Sequence, residues 1–162
     1  MVIREAIKAD LPAIAKLWNH YILNSTYNYD YEPKTADFFE KWLKDREDLN
    51  LPVFVVDVEG ELAGYGYYGQ FRGRDGYLHS AEHGLYFDEK FQGNGFGRVL
   101  LEHLMKDAKE RGFHTMVAGI DSSNPGSIIF HKRMGFEMVG TFREIGFKNG
   151  KWLDCVFLQK FL

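Results

Sequence analysis

The clearest periodicity in this 162-residue chain follows Arg98. Val99, Leu100, Leu104, Met105 and Ala108 recur every three to four residues, and Glu102, Lys106, Lys109 and Glu110 take the other face. This predicts an amphipathic helix from about Arg98 to a stop at Arg111-Gly112. A similar stripe, Ile14, Leu17, Trp18, Tyr21 and Ile22, follows Asp10 and Pro12 and predicts a helix capped by Asp10. Phe38, Phe39, Trp42 and Leu43 behind Thr35 predict a third. Elsewhere the helical period vanishes. Val53–Val58 and Leu62–Tyr68 flank Glu59-Gly60 and read as an antiparallel hairpin, and two final strands flank Asn149-Gly150. Further strands are expected at Val2-Ile3, in the stretch ending Leu85-Tyr86-Phe87, and at Thr115–Ile120. A short helix over Ile128, Ile129 and Phe130 follows Asn124-Pro125 and closes at Gly135. The order βααβββαβαββ predicts an α/β (α+β) fold, a mixed central sheet flanked by helices.

Size adds one constraint, since residues 1–162 suffice for one domain with a sizeable core. The single cysteine, Cys155, rules out an internal disulfide, fits a reducing compartment and reads as a buried spectator. No apolar run approaches the ~18 residues of a membrane span, and Arg4, Glu5, Lys8 and Asp10 occupy the place of a signal-peptide core, so a soluble, cytoplasmic protein is expected. A net charge of −3 without a long basic cluster argues against a nucleic-acid partner. Asn24–Tyr31 is polar and aromatic without a period, which suits a loop able to contact a small ligand.

The chemistry gathers ahead of the strongest helix. In Gln92-Gly93-Asn94-Gly95-Phe96-Gly97, glycines open backbone conformations that let successive N–H groups share one concavity, and the following helix adds its unpaired donors and positive dipole end. The expectation is an anion site, with phosphate as the anion. The spacing is neither a Walker loop nor the dinucleotide G-x-G-x-x-G. A second motif, His79-Ser80-Ala81-Glu82-His83, spells an inverted zinc-peptidase signature. Its neighbours predict a strand, which would separate the two histidine Cα atoms by ~13 Å and defeat one zinc. No metal site is therefore expected.

Gln92-x-x-Gly95-x-Gly97 matches the acyl-CoA pyrophosphate loop of the GNAT family of N-acetyltransferases. Ala81-Glu82-His83-Gly84-Leu85-Tyr86-Phe87, Asn124-x-x-Ser127-x-x-x-His131-x-x-x-Gly135-Phe136 and Gly146-x-Lys148-x-Gly150-Lys151-Trp152-Leu153-Asp154 resemble its phosphinothricin and methionine sulfone/sulfoximine acetyltransferase branch. The resemblance spans nearly the whole chain. It implies acetyl-CoA bound between two splayed parallel strands, with the pantetheine against Leu85, Tyr86 and Phe87 and the pyrophosphate on Gln92, Gly93, Asn94, Gly95, Phe96, Gly97 and Arg98. Asn124 and Ser127 would flank the cofactor. A homodimer is implied as well.

An α-amine is mostly protonated at neutral pH, so attack on a thioester needs a base. The resemblance gives that role to Glu82, whose pKa burial would raise. His131 stands where many family members place the tyrosine that protonates the CoA thiolate, and a proton-donor role is expected of it. Arg72 and Arg74 precede the Glu82 strand and would clamp the acid group of an amino-acid-like acceptor. The competing expectations are a non-catalytic acyl-CoA sensor and an enzyme acting on protein or peptide amines.

Overall fold

A computed structural model describes residues 1–162. The elements are β1 (Val2–Glu5), α1 (Leu11–Asn24), α2 (Ala36–Asp48), β2 (Val53–Val58), β3 (Glu61–Gln70), β4 (Ser80–Phe87), α3 (Phe96–Glu110), β5 (Thr115–Asp121), α4 (Pro125–Arg133), β6 (Glu137–Lys148) and β7 (Lys151–Phe161). Their order is the one the periodicities predict. Seven strands form one sheet, β1-β2-β3-β4-β5-β7-β6. Every neighbouring pair is antiparallel except β4 and β5.

Each face of the sheet buries its own core. Val53, Val55 and Tyr65 pack with Leu11, Ile14, Trp18 and Ile22 of α1 and Phe39 and Leu43 of α2. Phe54, Val56 and Ala63 pack instead with Leu100, Leu101 and Leu104 of α3, and with Met116, Ala118 and Leu158. Successive side chains of a strand take opposite faces, so a strand covered on both sides reads as an unbroken apolar run. That accounts for Val53-Phe54-Val55-Val56. No helix is long and apolar enough to cross a membrane.

Caps and turns follow local chemistry, with one correction. Thr35 accepts from Phe38 N at 3.3 Å and caps α2, and Asn149 and Gly150 join β6 to β7 with φ of 52° and 73°, the positive values a two-residue hairpin turn needs. Asp10, however, does not cap α1. Its carboxylate takes both Arg4 guanidinium nitrogens, at 2.7 and 2.8 Å, and Ile7 N at 2.8 Å. The arginine competes successfully because it brings two parallel N–H donors with both partners ionised, against single bonds from uncharged backbone amides.

The feature that matters most for function is where β4 and β5 part. They pair at Ser80↔Thr115, Ala81↔Met116 and Glu82↔Val117 and no further, although β4 runs on to Phe87 and β5 to Asp121. Opposite the free part of β4 lies Gly64 on β3, paired with Phe87. A Cβ on Gly64 would come within 2.6 Å of the Tyr86 carbonyl oxygen and would also strike the Phe87 ring. A ladder carbonyl cannot swing away as a side chain can. Gly64→Ala is therefore expected to cost about 1–3 kcal/mol of overpacking, read as a lowered urea midpoint at unchanged slope.

Candidate active site

Two backbone bonds fix how the free part of β4 is oriented. Phe71 N donates to Ser80 O at 2.8 Å, and Asp88 N to Ala63 O at 3.0 Å, so the even-numbered residues of β4 exchange bonds with β3. By the alternation of an antiparallel ladder, the main-chain groups of His83, Leu85 and Phe87 turn toward the gap left by β5. Only the Phe87 carbonyl has a side-chain partner there, accepting from the Tyr21 hydroxyl at 2.8 Å.

Side chains alternate in step. Glu82, Gly84 and Tyr86 face the α1 side, and Ala81, His83, Leu85 and Phe87 face α3 and α4. On the α1 side a cavity of about 400 Å³ opens between β4, β5, β7 and the loop after α1. Glu82, Gly119, Asp121, Cys155 and Phe157 line one part, and Trp18, Tyr67 and Tyr86 form an aromatic wall. Trp18 and Tyr67 stack with ring centroids 5.9 Å apart at 4°. Gly119 leaves room for this carboxylate, since a Cβ there would lie 3.1 Å from Glu82 Oε1 and 3.3 Å from the Phe157 ring, and one of them would have to give by a few tenths of an ångström.

Burial raises the Glu82 pKa above the ordinary 4.5, and the charge of Arg72 pulls it partly back. Burial also pushes Tyr67 up to about 12 and raises Tyr86, so both phenols keep their protons. Glu82 is thus the proton acceptor on this wall whose pKa moves toward neutrality. Cys155 is half-buried and lines the cavity, where the sequence reading places a buried spectator. Its thiol is pushed up, by burial first and then by the charge of Glu82, which keeps it protonated and unsuited to nucleophilic attack.

The remaining wall is the loop of Tyr27, Asn28, Tyr29 and Asp30, held from the far end of the chain. The buried Lys148 ammonium donates to Ile22 O at 2.7 Å and to Asn28 O at 2.6 Å. A Cβ on Gly146 would stand 2.6 Å from Tyr29 Cε2, so that ring rests on bare backbone. The Tyr31 hydroxyl donates to Phe147 O.

On the opposite face the glycine loop ends in α3, which starts at Phe96 rather than Arg98. Gly93 and Gly95 have φ of 80° and 79°, values that only glycine adopts without strain. The five amides from Gly93 to Gly97 donate to no backbone or side-chain acceptor of the protein. A Cβ on Gly97 would meet the Phe87 and Phe130 rings at 3.7 Å, which places the loop beside the end of β4. The Arg98 side chain pairs with Glu102 at 2.9 Å, and the Asn94 amide donates to Phe91 O at 3.2 Å. Gln92 is exposed.

Asn124 caps α4, its side-chain oxygen accepting from Ser127 N at 3.1 Å. His131 is buried, with Nδ1 2.7 Å from the Ser127 carbonyl. A carbonyl only accepts, so Nδ1 carries the hydrogen and Nε2 is bare. Nε2 has no partner, and burial lowers the pKa of the ring. A neutral imidazole with its one N–H committed has no proton for a thiolate, so the geometry does not fit the donor role expected of His131. Its ring stacks on His83 at 5.1 Å, and burial pushes His83 down to about 3.

Arg72 and Arg74 lie exposed in the loop after β3, where Gln70 Nε2 donates to both of their carbonyls at 2.6 and 2.8 Å. Neither lines the cavity. Of the H-x-x-E-H stretch, Ser80 to His83 is strand, while the first histidine lies in the turn before it. His79 precedes β4 with Nδ1 on Gly112 O at 2.9 Å, and Glu82 and His83 take opposite faces. Asp121 and Gly119 escape a motif search, although a glycine within the apolar run Thr115–Ile120 does signal close approach of another group.

A mixed seven-stranded sheet whose one parallel pair parts beside a free-amide loop and a desolvated glutamate is the geometry of an acyl-CoA acetyltransferase. The Acetyltransferase (GNAT) domain model matches residues 3–157, and the chain belongs to that family. It is 38% identical over 159 residues to L-amino acid N-acyltransferase MnaT of Escherichia coli (strain K12), covering 98% of this chain and 92% of the relative. It is 37% identical to phosphinothricin N-acetyltransferase of Streptomyces viridochromogenes, covering 98% and 86%. Among solved structures, yncA from Salmonella typhimurium with its cofactor acetyl-CoA superposes with a TM-score of 0.96 at 38% identity, over 100% of this chain and 94% of that one.

Two measurements test this geometry. Because the folded-state pKa of Glu82 is raised, ionising it costs the native state stability, and the cost is absent at pH below the unfolded value and complete above the folded one. Glu82→Gln should therefore raise Tm at pH 7, with the gain shrinking as pH falls through 4.5; a gain that persists at pH 3 would contradict the desolvation argument. Gly146→Ala should displace Tyr29 and raise acceptor KM severalfold while the KM for acetyl-CoA, served by the other face, stays constant. Equal changes in both KM values would show that the two faces are not separate.

Proposed function

We propose that this chain is an acetyl-CoA-dependent N-acetyltransferase acting on the amino group of a small amino-acid-like acceptor. The observation that carries the proposal is Glu82, the last residue of β4 paired with β5, half-buried with a raised pKa and facing a cavity of about 400 Å³. The volume suits a small molecule. The relatives that act on L-amino acids, methionine sulfone or sulfoximine, and phosphinothricin support the acceptor class.

The thioester lies at the parting of β4 and β5. Main-chain groups of Leu85 and Phe87, on either side of Tyr86, meet the pantetheine side, the free amides of Gly93 to Gly97 with Gln92 and Arg98 take the pyrophosphate, and Asn124 and Ser127 border the arm. Glu82 accepts one proton of the acceptor ammonium, the freed amine bonds to the thioester carbon, and as the tetrahedral adduct collapses the C–S bond breaks and the second proton, carried on the attacking nitrogen, passes to the departing sulfur, giving the amide and CoA thiol. A main-chain N–H facing the gap stabilises the developing oxyanion. Arg72, whose charge reaches Glu82, and Arg74 meet the acid group of the acceptor at the cavity mouth. The exposed Phe142, Ile145, Phe147 and Trp152 on β6 and β7 support pairing of two copies, and the expected compartment is the cytoplasm.

The test is CoA release followed with a thiol reagent over methionine sulfone, methionine sulfoximine, phosphinothricin and their carboxamides. Turnover is expected, and Glu82→Gln should lower kcat on the order of 10²-fold, the scale of general-base catalysis, at unchanged acetyl-CoA affinity. Acetyl-CoA binding without turnover of any amine would leave a sensor.

A further inference from the structure

The lining of the cavity carries a polarity that the proposed acid-group clamp does not use. Three carboxylates, Asp30, Glu82 and Asp121, face it, and no lysine, arginine or histidine does. Asp30 is compensated by Lys34 at 3.3 Å. Asp121 is not. It is 5% exposed, its Oδ1 accepts from Ser123 N at 2.8 Å and from the Ser123 hydroxyl, and its Oδ2 is buried without any partner. The Tyr29 hydroxyl is the protein donor within its reach, its pKa raised by burial first and then by the charge of Asp121 and a hydrogen bond toward it, and the same hydroxyl is shared with the Asp154 carbonyl at 3.4 Å. A carboxylate oxygen removed from water, with no donor beyond a tyrosine hydroxyl that a carbonyl also claims, is under-satisfied, and such a group in a ligand cavity points to a donor brought by the ligand.

The strand geometry sets where that donor sits. Glu82 Oε1 lies over Gly119, and Asp121 is two residues further along the same face of β5, roughly 6–7 Å away at the rise of an extended strand. Glu82 serves the attacking amine, so Asp121 meets the opposite end of the acceptor. Elsewhere the cavity is walled by Trp18, Tyr67, Tyr86 and Phe157, whose ring faces suit a cation or a polarised N–H.

We propose that Asp121 is a second acceptor-binding carboxylate, selecting amines whose far end donates a hydrogen bond, such as a sulfoximine N–H, an amide or a second ammonium group. The assignment rests on the acetyltransferase reading above. Carboxylate and sulfone or phosphinate oxygens are all acceptors and repel one another, whereas a donor pairs with Oδ2.

Methionine sulfoximine and methionine sulfone are near-isosteres, one carrying N–H where the other carries oxygen, and their kcat/KM ratio is the readout. The wild-type protein should favour the sulfoximine by roughly tenfold, the scale of one charge-assisted hydrogen bond. Asp121→Asn keeps Oδ1 for the Ser123 turn and puts an NH2 in place of Oδ2, so it should reverse or erase the preference at unchanged KM for acetyl-CoA. A merely structural role would lower both substrates alike and leave the ratio intact, and that result would overturn the assignment. Should Asp121→Asn fail to fold, the wild-type ratio decides alone, and equal turnover of the pair overturns the assignment while the acetyltransferase reading stands. Failure of methionine sulfoximine, glutamine, methionine sulfone and phosphinothricin all to turn over would overturn both.

Discussion

Everything in the site depends on one interrupted strand pair. β5 stays bonded to β7 from Thr115↔Phe161 to Asp121↔Cys155, and β4 stays bonded to β3 from Gln70↔Ala81 to Gly64↔Phe87, so each strand is held by its outer neighbour while the gap opens between them. Unpaired main-chain groups inside a covered sheet are ordinarily too costly to keep. Beyond the last bridge at Glu82↔Val117 the main chain of Leu85 and the Phe87 N–H stay open along this edge, with the Phe87 carbonyl met by the Tyr21 hydroxyl, an edge where a ligand can supply the missing partners. The free amides of Gly93 to Gly97 beside Phe87 continue that edge toward the positive end of α3.

The gap also divides the chemistry between the faces of the sheet. Glu82 and His83 are adjacent in sequence, but alternation sends one to the α1 cavity and the other to the α3–α4 side. Burial acts on both and favours the neutral form of each, which makes the acid a better proton acceptor near neutrality and makes the imidazole inert. His83 pushed down to about 3 and His131 with its single N–H given to Ser127 O form an uncharged pair beneath the acyl-CoA side. On the proposed mechanism, proton traffic therefore belongs to the Glu82 face.

How much of this was legible depended on how local the cause was. The element order could be read because apolar spacing, the Thr35 cap and the Asn149-Gly150 turn are set by neighbours in sequence. Motif resemblance singled out Glu82 and the glycine loop, and the structure puts the first on the cavity wall and leaves the amides of the second free. The Asp10 cap was misplaced because Arg4, on a different element, competes for the same carboxylate. The orientation of Cys155 toward the cavity, and the roles of Gly119 and Asp121, depend on the β5–β7 register, where Asp121 pairs Cys155 and Gly119 pairs Phe157. No local pattern encodes a register between strands that lie so far apart in the chain.

The same long-range logic explains why an aperiodic loop can serve as a binding wall. Residues 25–31 have no helix or strand to order them, yet the ring of Tyr29 lies on Gly146 and the Lys148 ammonium closes on Ile22 O and Asn28 O. A buried ammonium is tolerated when carbonyls satisfy it, and once it is satisfied the loop cannot leave without exposing both carbonyls and stranding the charge. The C-terminal hairpin thus acts as a template for the acceptor wall. It does so on the face of the sheet opposite the glycine loop, so changes in Gly146, Lys148 or the loop itself can reshape the acceptor cavity while the acyl-CoA edge of β4 keeps its geometry.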